Sequence, residues 1–230
     1  MTAATGLRTE MAPRLDGPRL APAAGGQAKQ LIVFLHGYGA DGNDLIALGR
    51  EWARQLPHAA FVSPHAPEPC GMAPMGRQWF NLTFRDPNEL SSGVAKAGPV
   101  VNAFIDAELE RMQLSSRSLA LVGFSQGAML ALAVGLTRKP APAAIVGYSG
   151  ALAGIEAIKE PGDRPAILLV HGDMDEVIPV DAMLIAREQL ASAGLPVEWH
   201  VAEGVGHGID GEGLRLGGAF LKQAFSSATR

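Results

Sequence analysis

Only one cysteine, Cys70, occurs in 230 residues, so no intramolecular disulfide can staple the fold and no paired C-x-x-C metal ligands exist. Cys70 lies in a Pro-Cys-Gly segment with no base beside it in sequence, which reads as a passive thiol rather than a nucleophile. The six histidines fall in no H-E-x-x-H spacing, and neither a metal nor an organic cofactor is implied. Basic charge is also sparse. Nineteen Lys and Arg against 23 Asp and Glu give a formal charge of -4, without the Lys/Arg cluster that a phosphate backbone demands, so nucleic acid is excluded as a partner. Long apolar runs are missing too. Residues 1–10 lack the apolar centre of a signal peptide, and the longest apolar stretch, 128–136, is too short to span a bilayer. A cytoplasmic location is the expectation.

What the chain does have is apolar material, 47% of its residues, enough for one core of ordinary size. Short runs rich in Val, Ile and Leu at 31–35, 59–62, 119–122, 143–148, 167–170 and 197–201 read as strands buried on both faces, the mark of a parallel sheet. Between them, 44–55, 100–113, 126–138, 180–193 and 212–225 carry apolar residues at three-to-four spacing and read as helices. The alternation predicts an α/β fold with helices on both faces of the sheet. One domain is expected over 29–230. Residues 1–28, rich in Pro, Gly and Ala, read equally as an edge hairpin built from 6–11 and 18–20 around Asp16-Gly17 or as a disordered tail. The stretch 63–98 resists assignment and reads as a long loop of the functional kind. Only fifteen residues, 151–165, separate the fourth and fifth strands, which leaves no room for a large cap domain.

The chemistry concentrates at strand ends. Gly123-Phe124-Ser125-Gln126-Gly127 follows an apolar run and opens a helix, the context of a nucleophile elbow, in which the serine is strained and small residues must flank it two positions away. A serine hydroxyl is a weak nucleophile at neutral pH and needs a base held in the correct tautomer. The loop after the fifth strand supplies Asp173, Asp175 and Glu176, and the one after the sixth supplies His207 between glycines. Asp175 is the favoured acid, because a position further along its loop has more freedom to approach His207, while Asp173 suits the bracing of its own turn. His200 falls within a strand, and His36 and His171 precede glycines at strand ends, where they read as turn-shaping. Backbone N–H groups of Tyr38, in a Gly-rich loop, and of Gln126, at a helix N-terminus, are the candidate oxyanion donors. Met72, Met75 and Phe80 lie in the 63–98 stretch, the expected wall of a cleft in a fold without a cap, whereas a lone Trp such as Trp79 is more often core.

With Phe34 to Gly39, Trp79-Phe80-Asn81, the Gly123 elbow, His171-Gly172-Asp173-Met174-Asp175 and His207, the chain resembles the carboxylesterase and acyl-protein thioesterase group, the phospholipase/carboxylesterase family, from about residue 30 onward. The resemblance implies an α/β-hydrolase fold, Ser125, Asp175 and His207 as a triad, and Trp79 near an acyl pocket. Two positions depart from the thioesterase branch: Tyr38 stands where leucine is usual and Asn81 where aspartate is usual. The expected activity is hydrolysis of small carboxylic esters of short to medium acyl chains. A lysophospholipase or acyl-protein thioesterase, and a non-catalytic binding module of the same fold, are the alternatives. Monomer and homodimer remain open.

Overall fold

The computed structural model describes residues 15–71, 73–83, 86, 88–155 and 164–228. In chain order its elements are β1 (Arg19–Leu20), β2 (Gln30–Leu35), α1 (Gly42–Trp52), β3 (Ala59–Val62), β4 (Glu68–Pro69), β5 (Arg77–Gln78), α2 (Glu89–Met112), β6 (Leu119–Phe124), α3 (Gln126–Thr137), β7 (Ala144–Tyr148), β8 (Ala166–Gly172), α4 (Asp181–Ser192), β9 (Val197–Ala202) and α5 (Gly211–Ala228). Seven strands form one sheet in the order β1-β3-β2-β6-β7-β8-β9, and only β1 runs antiparallel to its neighbour. β4 and β5 form a separate two-stranded hairpin. This is the α/β-hydrolase arrangement. Among the described residues no helix is long and apolar enough to cross a membrane.

Side chains alternate across each strand, so a continuous apolar run feeds two cores at once. Leu31, Val33, Leu35, Leu121 and Ile145 face the layer built by α2, α3 and α4. Ile32, Phe34, Phe61, Val122 and Val146 face the other, where Trp52 of α1 meets Phe220, Leu221 and Phe225 of α5. Trp52 is 1% exposed, its ring is tilted against Phe34 at 5.8 Å, and its indole N–H donates to the Leu214 carbonyl at 2.9 Å.

One reading of the sequence needs correction. α2 starts at Glu89, so residues 89–98 are helix rather than loop. Gly93, Gly98 and Pro99 lower the local helix propensity, and packing overrides them. A Cβ at Gly93 would stand 2.3 Å from the Phe80 ring, so the glycine lets the helix close onto that aromatic. Elsewhere in the stretch, Glu68 and Pro69 pair with Gln78 and Arg77 in the β4–β5 hairpin. At the N-terminal side, Arg19–Leu20 pairs with β3 (Arg19↔Val62, Leu20↔Phe61), and Arg19 reaches Glu108 of α2 at 2.8 Å. Residues 6–11, the proposed hairpin partner, lie outside the described residues.

Trp52→Ala removes the largest side chain of the α1/α5 layer together with its indole bond to the Leu214 carbonyl. It is expected to lower the unfolding free energy by about 3–5 kcal/mol in urea titrations; a loss under about 1 kcal/mol would show that this layer is not tightly packed.

Candidate active site

β6 passes into α3 through one residue. Ser125 has φ 54° and ψ -118°, a conformation that costs a non-glycine residue roughly 1–3 kcal/mol and persists only where the surroundings enforce it. They do so here: the Ser125 N–H donates to the Tyr148 carbonyl at 2.9 Å, and its own carbonyl accepts from Ala128 and Met129. The register of β6 on β7, Phe124↔Tyr148, brings that carbonyl into reach. The flanking glycines permit the close approach. A Cβ at Gly127 would lie 1.9 Å from the Leu35 carbonyl, and one at Gly123 would lie 2.2 Å from the Gly127 carbonyl.

β8 ends at Gly172, and the following loop folds around a carboxylate. Asp175 Oδ1 accepts from the N–H groups of Val177 and Ile178, each at 2.9 Å, and Oδ2 lies 2.7 Å from His207 Nδ1. A carboxylate only accepts, so Nδ1 carries the imidazole proton and Nε2 is left as a base. The His207 ring lies 4.9 Å from that of Phe124, the residue before Ser125, and its side chain is 19% exposed. Burial works against the ionised Asp175, but the bonds from His207, Ile178 and Val177 outweigh it and hold the carboxyl below its ordinary value. Asp173 has a different task. Its Oδ1 accepts from the Gly204 N–H at 2.7 Å, tying the acid loop to the loop that carries His207.

The loop after β2 is held from beneath by His36, which is fully buried. Its Nε2 accepts from the Ala66 N–H at 3.0 Å, which puts the proton on Nδ1, 2.8 Å from the Gly37 carbonyl. With that carbonyl held, the trans peptide turns the Tyr38 N–H the opposite way, and it meets no acceptor among the described residues. A Cβ on Gly37 would lie 3.5 Å from that of Ser125, so this loop borders the elbow. The β4–β5 hairpin clasps it from outside, Gly39 donating to the Arg77 carbonyl and Arg77 to the Ala40 carbonyl. The Tyr38 phenol is held above its usual range chiefly by a hydrogen bond with the Cys70 thiol of this hairpin, then by burial.

Trp79 and Phe80 are each 2% exposed. The Gln126 side chain grips both: its Oε1 accepts from the Trp79 N–H at 2.9 Å and its Nε2 donates to the Phe80 carbonyl at 2.7 Å. The Trp79 indole donates to the His36 carbonyl at 2.9 Å. Serine, aspartate-bound imidazole and backbone donors thus gather at the C-terminal edge of the parallel strands, the parts an acyl transfer requires.

Residues 21–224 match the model of the phospholipase/carboxylesterase family. The chain belongs to that family. Among curated relatives, the esterase YpfH of Escherichia coli is 28% identical over 82% of this chain and 80% of its own, and acyl-protein thioesterase 1 of Gibberella zeae is 26% identical over 90% and 94%. The crystal structure of esterase PE8 superposes with a TM-score of 0.87 at 40% identity, covering 92% of this chain and all (100%) of that one. SOBER1 of Arabidopsis thaliana superposes at 0.76 with 26% identity, covering 86% and 99%.

Within this family member, the structure brings Ser125, Asp175, His207, Tyr38 and Gln126 to one edge of the sheet. The four candidate cleft residues do not share one setting. Trp79 and Phe80 belong to the buried core beneath the site, Met75 is 92% exposed at the hairpin tip, and Met72 lies outside the described residues. His200 sits in β9, paired in register with Val170. His36 shapes its own turn as expected, whereas sequence reasoning missed its tie to Ala66 and the Gln126 side-chain grip, both of which join residues far apart in sequence.

Burial lowers the His36 imidazole to about 4, its bond to Gly37 partly opposing. The unfolded chain protonates this residue near its reference value of roughly 6.5, so between those values the unfolded state binds more protons and stability falls as pH is lowered. His36 alone should remove about 3 kcal/mol of unfolding free energy between pH 7 and 4. Asp175, held below the ordinary 3.8, adds its own loss only under that pH. Urea titrations of wild type and His36→Gln at both pH values check this: equal pH sensitivity in the two proteins would refute it.

Proposed function

We propose that the chain is a serine carboxylesterase that cleaves small carboxylic esters of short to medium acyl chain through an acyl-serine intermediate, within a single catalytic domain over residues 29–230. Its family makes it a carboxylic ester hydrolase; the residue roles and the acyl range rest on the site. The observation that carries the roles is the 2.7 Å bond from His207 Nδ1 to Asp175 Oδ2 beside the strained Ser125. His207 Nε2 takes the Ser125 proton as Oγ attacks the ester carbonyl, and the N–H groups of Tyr38 and Gln126 receive the oxyanion. The imidazolium then protonates the leaving alcohol, and water repeats the sequence on the acyl-enzyme. Asp175 keeps the imidazole in the tautomer that allows both transfers.

The acyl range follows from the walls. Trp79 and Phe80 are closed into the core and pinned by Gln126, so they open no deep acyl tunnel, and exposed Met75 at the hairpin tip can cover a chain only at the surface. Each buried methylene contributes about 0.8 kcal/mol, and the gain stops once the chain reaches solvent.

Ser125→Ala is expected to lower kcat on the order of 10⁶-fold and to abolish fluorophosphonate labelling. Labelling of the wild type also separates an enzyme from a non-catalytic module of this fold. Retention of a tenth of the wild-type rate by the alanine variant would remove Ser125 from the mechanism.

Asp175→Asn should lower kcat about 10⁴-fold by presenting an amide N–H to His207 and forcing the wrong tautomer, whereas Asp173→Asn should act mainly on thermal stability. A folded Asp173→Asn protein with the lower kcat would reverse the two assignments.

Across p-nitrophenyl esters and acyl thioesters of increasing length, kcat/KM should peak at short to medium chains. A steady climb to palmitoyl thioesters would favour an acyl-protein thioesterase or lysophospholipase instead.

A further inference from the structure

His171 is 1% exposed in β8, just before Gly172, and takes no part in the acyl transfer described above. Its Nε2 lies 2.7 Å from the Ile178 carbonyl and 3.2 Å from Asp175 Oδ2. Both partners only accept, so Nε2 carries the ring proton. Nδ1 is buried with no hydrogen-bond partner among the described residues, and the ring borders a small cavity of about 10 Å³ lined by Ala128, Leu132, Leu169 and Met183. Burying an imidazole with one nitrogen idle is less favourable than burying an aromatic ring, so the polar residue must serve through Nε2.

We propose that His171 is a positioning residue: its Nε2–H donates to the Ile178 carbonyl, and through that residue, whose N–H grips Asp175 Oδ1, it holds the carboxylate in the orientation that receives His207. The inference rests on the triad proposed above. The two backbone donors hold only Oδ1, and the other partner of Oδ2 is His207, the group that changes charge during turnover. His171 Nε2 also lies 3.2 Å from Oδ2 at the rigid end of β8, a polar contact whose proton points to the Ile178 carbonyl. The bond to that carbonyl steadies the residue whose N–H grips Oδ1.

The test compares His171→Phe, which keeps a ring and removes the donor, with His171→Gln, whose amide N–H reaches the place of Nε2–H. Readouts are kcat and KM on a short-chain p-nitrophenyl ester and the downfield proton resonance of His207 Nδ1–H, taken on protein with wild-type circular dichroism. The Phe variant should lose roughly tenfold in kcat with KM within about twofold, and its downfield resonance should shift or broaden. Gln should restore both. A folded Phe variant with wild-type kcat and an unmoved resonance overturns the proposal, as does a Gln variant as impaired as Phe. Should the Phe variant not fold, imidazole ¹⁵N spectra of the wild type decide: His171 protonated on Nε2 supports the proposal and on Nδ1 overturns it. Failure of the triad itself reads differently, as turnover retained by Ser125→Ala.

Discussion

The close seating of α3 on the ends of β2 and β6 is the constraint on which the rest of the site depends. Gly127 rests against the Leu35 carbonyl with no space for a Cβ, and this contact drives Ser125 into its positive-φ turn. Relaxing the turn would break the Ser125 bond to Tyr148 and lift α3 from two strands at once. Strain at a single residue is thereby held by the sheet, whose central strands are fully buried on both faces. The serine is presented at a fixed height because the parallel strands beside it end at matched positions.

From that point two polar systems spread in opposite directions. Toward β8, Asp175 collects donors from Val177, Ile178 and His207, with His171 beside them. Toward β2, His36 grips the Gly37 carbonyl while the β4–β5 hairpin clasps Gly39 and Ala40. Both depend on buried groups that are satisfied only when the loops are in place, so the loops at this edge are as strictly specified as the strands beneath them.

Much of this was legible in the sequence because it is local. The sheet's buried strands announce themselves as unbroken Val/Ile/Leu runs, and the elbow places its glycines at fixed offsets from Ser125. Loop position favours Asp175 over Asp173, and the geometry gives each aspartate a separate partner. What escaped was what distance in sequence conceals. The first half of α2 reads as loop because Gly93, Gly98 and Pro99 weaken its pattern, while the reason for Gly93 is Phe80. The amide of Gln126 finds its partners 46 and 47 positions away, which no local pattern encodes.

The Gln126 grip has an evolutionary consequence. One residue offers its backbone at the elbow and its side chain to the Trp79–Phe80 segment beneath it, so exchange of Trp79 or Phe80 for a differently shaped side chain would disturb the Ser125 turn as well as the core. Divergence of substrate preference is then cheapest where no such link exists. Met75 at the hairpin tip, with Met174 and Val177 on the loop after β8, stands largely in solvent. Those rim positions are where a lineage built on this scaffold is free to drift.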